Sequence, residues 1–528
     1  MPFCDLPRPS FRSLFCLPLY LASCTLQGKD NSLKKSGGGA KDMFRKIILG
    51  IVLILVILVG VLAYKTFTNT PDMIAVDPVE MSSFDVDAAA ARLAEAVQIK
   101  TISADRDSPV AAAEFDRLHL LINASFPLVH QSLKREVVGG HSLLYTWEGS
   151  DPSLPPALLM GHMDVVPVEP GTESDWQEEP FSGVIKDGAI WGRGTLDDKL
   201  SVFAILEAAE LQLADGFKPK RTLYFAFGHD EEVGGVNGAA EIAALLKSRG
   251  VRLAFTLDEG MVIVQGLMPG IDAPIAFIAL AEKGYLTLQL TATTEGGHSS
   301  IPPRTTAIGK LARAIARIEE NRLPAALNSP ASDMFDTLAP HMSLPLKAII
   351  SNRWLLDPVL VGELGKGGAT NAMVRTTTAV TIAEGGTKDN VLPSQASATV
   401  NFRLLPDTSI QDVINHVTNV IDDPDIDITT KQGNEASRIS SEDAEGYQMI
   451  ERTIRETLPD VLISPGLMLA GSDSKHYEEV AENNYRFVPM RFGPEDLARI
   501  HGTNERIIIE NYAEIIQFYR RLMENAGG

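Results

Sequence analysis

Between Ile47 and Tyr64 the chain runs eighteen residues without a charge, IILGIVLILVILVGVLAY. At 1.5 Å of rise per residue, a helix of that length crosses most of a ~30 Å hydrocarbon core. Most helices packed on a soluble core are apolar along one stripe, whereas this run is apolar all round, and its place near one end of the chain fits a buried core helix poorly. Lys34, Lys35, Lys41, Arg45 and Lys46 precede it, and Asp72, Asp77, Glu80, Asp85 and Asp87 dominate after Lys65. The positive-inside rule then predicts a single-pass anchor over 47–64, a cytoplasmic segment 1–46, a tether 65–82 and a periplasmic or extracellular body. A cleaved signal peptide is the rival reading, but the run is long for one and no small-x-small cleavage site follows. Met43 resembles a natural start, which makes the upstream stretch an over-extended one. Leu21-Ala22-Ser23-Cys24 also resembles a lipoprotein cleavage motif.

The remainder is acidic. Nine of the 47 Lys and Arg and three of the 68 Asp and Glu lie before residue 71, so the formal charge of −21 becomes −27 for the rest. A surface of that sign repels phosphate backbones, which argues against a nucleic-acid partner. Cys4, Cys16 and Cys24 are the three cysteines. The body therefore holds no disulfide and no thiolate, and any metal there must be bound by His, Asp and Glu.

At 528 residues and 45% hydrophobic, the chain can build two or three cores. From about Ser83, helical patterns (85–97, 199–213, 237–249) alternate with short apolar runs (157–160, 222–227, 253–257), as in an α/β sheet with buried strands. The texture changes after Glu282. Tyr285–Thr293 alternates with period two and is a candidate edge strand for pairing between subunits. A helix at 305–321, strand patterns at 376–382 and 397–404, and a helix at 410–421 suggest two helices on an antiparallel sheet, inserted in a discontinuous host. A polar, linker-like stretch covers 432–443.

Four acidic or His-bearing segments close predicted strands or open helices, where open α/β sheets place their sites. Gly161-His162-Met163-Asp164 puts an imidazole and a carboxylate two residues apart, so that one can bind a metal and the other orient it. Trp191-Gly192-Arg193-Gly194-Thr195-Leu196-Asp197-Asp198-Lys199 opens a helix with paired acids. Gly228-His229-Asp230-Glu231-Glu232 sets three acids in a row after a buried strand, a repulsion that a divalent cation offsets. Leu257-Asp258-Glu259-Gly260 is the fourth. Arg499-Ile500-His501-Gly502-Thr503-Asn504-Glu505 lies far downstream. Each segment alone also reads as solvated surface; their order and spacing together carry the signal.

Taken together, GHMDVVP, WGRGTLDDK, GHDEEVGG, LDEG, GGHSS and RIHGTNE resemble the zinc metallopeptidase family of carboxypeptidase S, aminoacylase-1 and succinyl-diaminopimelate desuccinylase, over roughly 83–525. SDPSLPPALLMGHMDVVP, EKGYLTL, GHSSIPP and VRTTTA resemble most the branch of carboxypeptidase S and the N-fatty-acyl-amino-acid hydrolase/synthase. The resemblance implies a mixed-sheet α/β catalytic domain with helices on both faces (83–283 and 437–528). It is interrupted by an inserted α+β lid and dimerisation domain (284–436) of two helices on a four-stranded antiparallel sheet.

The same resemblance implies roles residue by residue. His162 and Glu259 hold one zinc, Glu232 and His501 the other, and Asp197 bridges them, with Asp198 following across a cis peptide; Co²⁺ or Mn²⁺ also suits these donors. Glu259 is preferred over Asp258 by register. Asp164 orients His162, and Glu231 is the general base towards a metal-bridged hydroxide. Three ligand carboxylates, two Zn²⁺ and that hydroxide make a neutral site. His298, in the inserted domain, donates to the oxyanion, often in the partner subunit of a homodimer. Asn371 and Arg403 stand at substrate-side positions. One departure concerns the substrate: Ser472-Asp473-Ser474-Lys475 has Lys where the family has Arg, and Lys offers no bidentate fork.

The expected activity is hydrolysis of the amide bond of an N-acyl-amino acid or of the C-terminal peptide bond of a short peptide. A di- or tripeptide aminopeptidase is the alternative. A non-catalytic binding protein would lack ligands or base, and none is missing.

Overall fold

The computed structural model describes residues 38–70 and 76–528. Cys24 and the motif around it therefore lie outside the described residues, as does part of the tether. The described chain divides into two compact units, with the boundary between Val61 and Leu62. The N-terminal helix Gly38–Thr68 is 31 residues long, and its stretch Asp42–Thr68 is long and apolar enough to cross a membrane.

The larger unit is built on a ten-stranded mixed sheet. Its centre is parallel: Ala157–His162 lies between Leu223–Gly228 and Phe255–Asp258, and Asn484–Arg486 continues beside the latter. The hairpin Lys134–Val138 and Ser142–Trp147 adds antiparallel strands at one side. Alternation along these strands feeds two cores. Tyr145, Leu159, Phe225 and Leu257 pack with the helices Lys199–Ala214 and Ile509–Gly527 on one face. Leu144, Leu158, Met160 and Ala226 pack with the helix Ala239–Ser248 on the other. Helices cover both faces because each strand is apolar on both sides. Helix Lys199–Ala214 is buried nearly all round, as its uniform Ala/Leu/Val/Ile content requires.

A second sheet has four antiparallel strands in the order Thr377–Gly385, Gln395–Leu404, Gly284–Thr293, Ile426–Asn434. The helices Ala307–Glu320 and Ile410–Ile421 bury Leu311, Ala314, Val413 and Val417 against Leu286, Leu288, Leu290, Val400 and Phe402. One face of Gly284–Thr293 is buried and the other partly exposed, as its alternation predicts. The strand is not an edge, however: it pairs on both sides, with Gln395–Leu404 and Ile426–Asn434. Half-exposed polar residues read as an edge because a sheet open on one face also wets interior strands. Between the two halves of this module lie four short helices in 331–374 that the sequence pattern does not resolve. Their core, Met334, Phe335, Leu338, Ile350 and Val374, packs on Ile271, Ile275 and Phe277 near a strand of the large sheet, not on the small sheet.

Candidate metal centre

The ends of the central parallel strands bring the acidic segments together. His162 is the last residue of its strand and is buried. Its Nδ1 lies 3.1 Å from the Asp164 backbone oxygen and 3.3 Å from Asp164 Oδ1, and its Nε2 lies 2.8 Å from Asp197 Oδ1. One nitrogen is thus held by its neighbour and the other is aimed at Asp197. The Asp164 carboxylate also accepts from the backbone N–H of Glu231 and of Glu232, at 3.2 Å each. A single buried carboxylate therefore fixes both the imidazole and the turn that presents the two glutamates.

Asp197 precedes Asp198 across a cis peptide bond. Its second oxygen, Oδ2, lies 3.0 Å from Nε2 of His501, which is also 3.2 Å from Glu232 Oε2. Asp197 accordingly sits between the two histidines. Asp198 turns away: it accepts from the His162 backbone N–H at 3.2 Å, next to Gly161, where a Cβ would come within 2.8 Å of it. His162, Asp197 and Glu232 offer ligand atoms all within 4.8 Å of one another.

Glu259 follows the strand Phe255–Asp258. Both oxygens of Asp258 are engaged, accepting from the N–H groups of Glu259 (3.0 Å) and Ser474 (2.8 Å). Among the described residues no hydrogen bond engages the Glu259 carboxylate, and its neighbouring charges are Asp197, Asp258, Asp198 and Glu231.

Two residues that the sequence reading did not single out tie the centre together. Glu505 accepts from the N–H groups of Gly194 and Leu196 at 2.8 Å and from the Arg193 guanidinium. Arg193 donates at 3.1 Å to the carbonyls of His501 and Gly502. The loop bearing Asp197 and the loop bearing His501 are thereby locked across a buried ion pair. Both residues stand inside quoted motifs, but a pair so distant in the chain leaves no local signature.

The remaining candidates lie elsewhere. His298 is exposed on the two-residue strand Gly297–His298, its Nδ1 bonded to the N–H and hydroxyl of Ser300. Asn371 accepts from Arg375 at 3.0 Å, and the Arg403 guanidinium lies 4.8 Å from the Tyr285 ring centroid. Among the described residues no hydrogen bond or ion pair joins these three to the cluster. Lys475 is partly exposed on the turn Asp473–Tyr477, and its charge bears on Glu231 and Asp473.

Charge is the site's dominant problem. Burial, reinforced by like charges, holds the carboxyls of Glu231 and Glu259 well above their ordinary range and lifts that of Glu232. Burial pushes Asp198 up to about 8. Asp197 is the opposite case: burial raises it, but His162 and His501 outweigh that and hold it below its usual value. Hydrogen bonds to Asp197 and Glu232 raise His501 to about 10. Crowded carboxylates of this kind are stabilised by a cation. The residues fit one: the donors are all nitrogen and oxygen, Glu232 Oε1 is buried with no partner, and each histidine has a nitrogen turned inward.

Residues 158–525 match peptidase family M20/M25/M40. A probable carboxypeptidase S-like 2 of Dictyostelium discoideum is 40% identical over 94% of this chain and 97% of its own. The human N-fatty-acyl-amino acid synthase/hydrolase PM20D1 is 41% identical over 82% of this chain and 86% of its own. Carboxypeptidase S of Saccharomyces cerevisiae is 31% identical over 87% of each. In fold the chain is similar to an M20 family metallo-carboxypeptidase from Sulfolobus solfataricus (TM-score 0.60, 17% identity, 83% of this chain and 99% of that one). Human carnosine dipeptidase 1 is comparable (TM-score 0.58, 17% identity, 84% and 96%). With the family match over most of the body and relatives this similar along nearly their whole length, the chain belongs to peptidase family M20/M25/M40 and is a metal-dependent hydrolase of peptide or amide bonds.

Proposed function

We propose that the protein is a membrane-anchored two-zinc amidohydrolase that cleaves the amide bond of N-acyl-amino acids. The observation that carries this is the Asp197 carboxylate shared between His162 and His501, with Glu232 on the same imidazole. In this reading His162 and Glu259 hold one metal, Glu232 and His501 the second, and Asp197 both. The metals supply Lewis acidity that lowers the pKa of water and polarises the scissile carbonyl. Glu231 takes the proton from the attacking water and delivers it to the leaving amine, a transfer favoured by a carboxyl whose pKa burial has raised. Asp164 holds the His162 ring and the Glu231–Glu232 turn in register.

The substrate class is supported by the human relative PM20D1, an N-fatty-acyl-amino acid synthase/hydrolase. Cleavage of a C-terminal peptide bond is the second reading, supported by the carboxypeptidase S relatives. His298, exposed on the inserted module, suits a donor to the partner's site in a homodimer, and the free edges Thr377–Gly385 and Ile426–Asn434 are where such a dimer could pair. Asn371 and Arg403 would face the substrate after closure of that module. The body lies outside the cytoplasm, by the charge bias around the anchor.

The test is the full chain, zinc-loaded, assayed on N-acyl-amino acids, blocked peptides and free-amine dipeptides, with Glu231→Gln alongside. The expected result is highest turnover on N-acyl-amino acids, with the variant keeping its zinc and losing ~10²–10⁴-fold in rate. Retained turnover in the variant would remove Glu231 from its role, and preference for free-amine dipeptides would overturn the substrate class.

A further inference from the structure

The helix Arg353–Leu364 buries none of its residues. Trp354, Leu355, Pro358, Val359 and Gly362 are all exposed. At 100° per residue they fall within an arc of about 140°, one continuous apolar face. Trp354 is 55% exposed and Val359 61%, and Leu344 on the preceding helix adds a further 55%-exposed side chain. A tryptophan, two aliphatic side chains and a proline held in water on one helix face require a partner.

The position of this face identifies that partner. Asn352, buried just ahead of the helix, donates to the carbonyl of Leu62 at 3.2 Å and to the hydroxyl of Thr66 at 3.1 Å. Asn69 donates to the Ser351 hydroxyl at 2.9 Å. The Lys65 ammonium lies 5.8 Å from the Trp354 ring centroid. Tyr64 is the last residue of the uncharged run and Lys65 the first charge after it. If that run spans a bilayer, residues 62–66 stand where hydrocarbon gives way to headgroups, and the ring of Trp354 stands level with them. Tryptophan concentrates at this depth because its ring is apolar and its N–H polar, and a lysine there reaches the headgroups.

We propose that the exposed face of helix Arg353–Leu364, with Leu344, seats in the headgroup region of the membrane beside the exit of the N-terminal helix. This rests on the membrane-anchored reading of that helix. The face would then act as a second, interfacial contact that fixes the body against the surface in which acylated substrates dissolve.

The molecule carries its own probe. It has four tryptophans, and Trp147, Trp176 and Trp191 are buried while Trp354 is exposed. The full chain is reconstituted in phosphatidylcholine vesicles with or without lipid bearing a nitroxide near the headgroup end of its acyl chain. Emission of Trp354 is taken as the difference between wild type and Trp354→Phe. The expected result is quenching of that difference by about twofold or more. A difference signal unaffected by the nitroxide lipid overturns the proposal. As an independent readout, Val359→Cys, with Cys4, Cys16 and Cys24 replaced by Ser, is expected to be slowly alkylated by a charged maleimide in vesicles and quickly in detergent. Equal rates would overturn it as well. Alkaline carbonate extraction separates the two readings: a chain that is extracted refutes the anchor, whereas a chain that is retained with Trp354 unquenched refutes only the docking face. A dimer in detergent that Trp354→Asp dissociates would give the face to a second copy instead.

Discussion

Glu505 illustrates how much of the centre depends on side chains that need not touch a metal. It is fully buried and joins the Asp197 loop to Arg193, which in turn holds the His501 backbone. Replacing it by Gln keeps the shape but leaves the Arg193 charge buried without its counter-ion, a costly state. Outer partners of metal ligands typically contribute 10–100-fold in affinity. Glu505→Gln is therefore expected to lose zinc to a chelator at ~10–100-fold lower chelator concentration than wild type, with a lowered thermal midpoint. An unchanged chelator titration would show that the two loops keep their geometry without it. At this scale the sequence is most legible where a residue ends a strand. His162, Asp197, Glu232 and His501 are brought together by ordinary α/β geometry. Arg193 and Glu505 pair across most of the body, and nothing local in either segment announces it.

Among the elements, helices and strands with strong periodicity appear within a few residues of where the pattern places them. The helix Ile410–Ile421 is one case, with apolar spacing and a capping box between Ser409 and Asp412. The segment 331–374 is the contrary case. Pro340, Pro345 and Pro358 interrupt its periodicity, three of its helices have only seven or eight residues, and the fourth, Arg353–Leu364, turns an apolar face outward rather than into a core. Edge position is not legible for Gly284–Thr293, because pairing partners are a tertiary property. The pairing of the helices Glu445–Thr457 and Ile509–Gly527 provides a pH test. Glu456 accepts from Arg521 at 2.6 Å, Arg452 at 2.8 Å and Asn525 at 2.8 Å. Burial raises its carboxyl, but these partners outweigh burial and hold it at about 2. A carboxyl lowered in the folded state contributes fully above its unfolded value, and that contribution is lost as pH falls from there towards the folded value. The thermal midpoint of wild type is thus expected to fall faster than that of Glu456→Gln between about pH 4.5 and 2. Parallel curves from calorimetry would rule out this contribution.

For the molecule as a whole, the organising fact is a crowd of buried carboxyl groups at the ends of the central strands, whose burial and mutual repulsion oppose ionisation, set within a domain free of cysteine. Both features leave a cation held by nitrogen and oxygen donors as the means of neutralising the site. The same fold also explains why three candidates stand apart from the cluster here: Arg403 lies on the small four-stranded sheet, His298 on a separate two-stranded one, and Asn371 on the short helix Gly368–Val374. A homodimer would bring a partner's His298 to the site, so His298→Ala is expected to lower kcat with little change in zinc content. An unchanged kcat would leave His298 without a catalytic part. The most direct measurement is anomalous diffraction at the zinc edge from crystals of the zinc-loaded protein. The expected map has two peaks flanking the Asp197 carboxylate, one beside His162 and Glu259 and the other beside Glu232 and His501. A map with no peak there, or with zinc bound only to other side chains, would contradict the account.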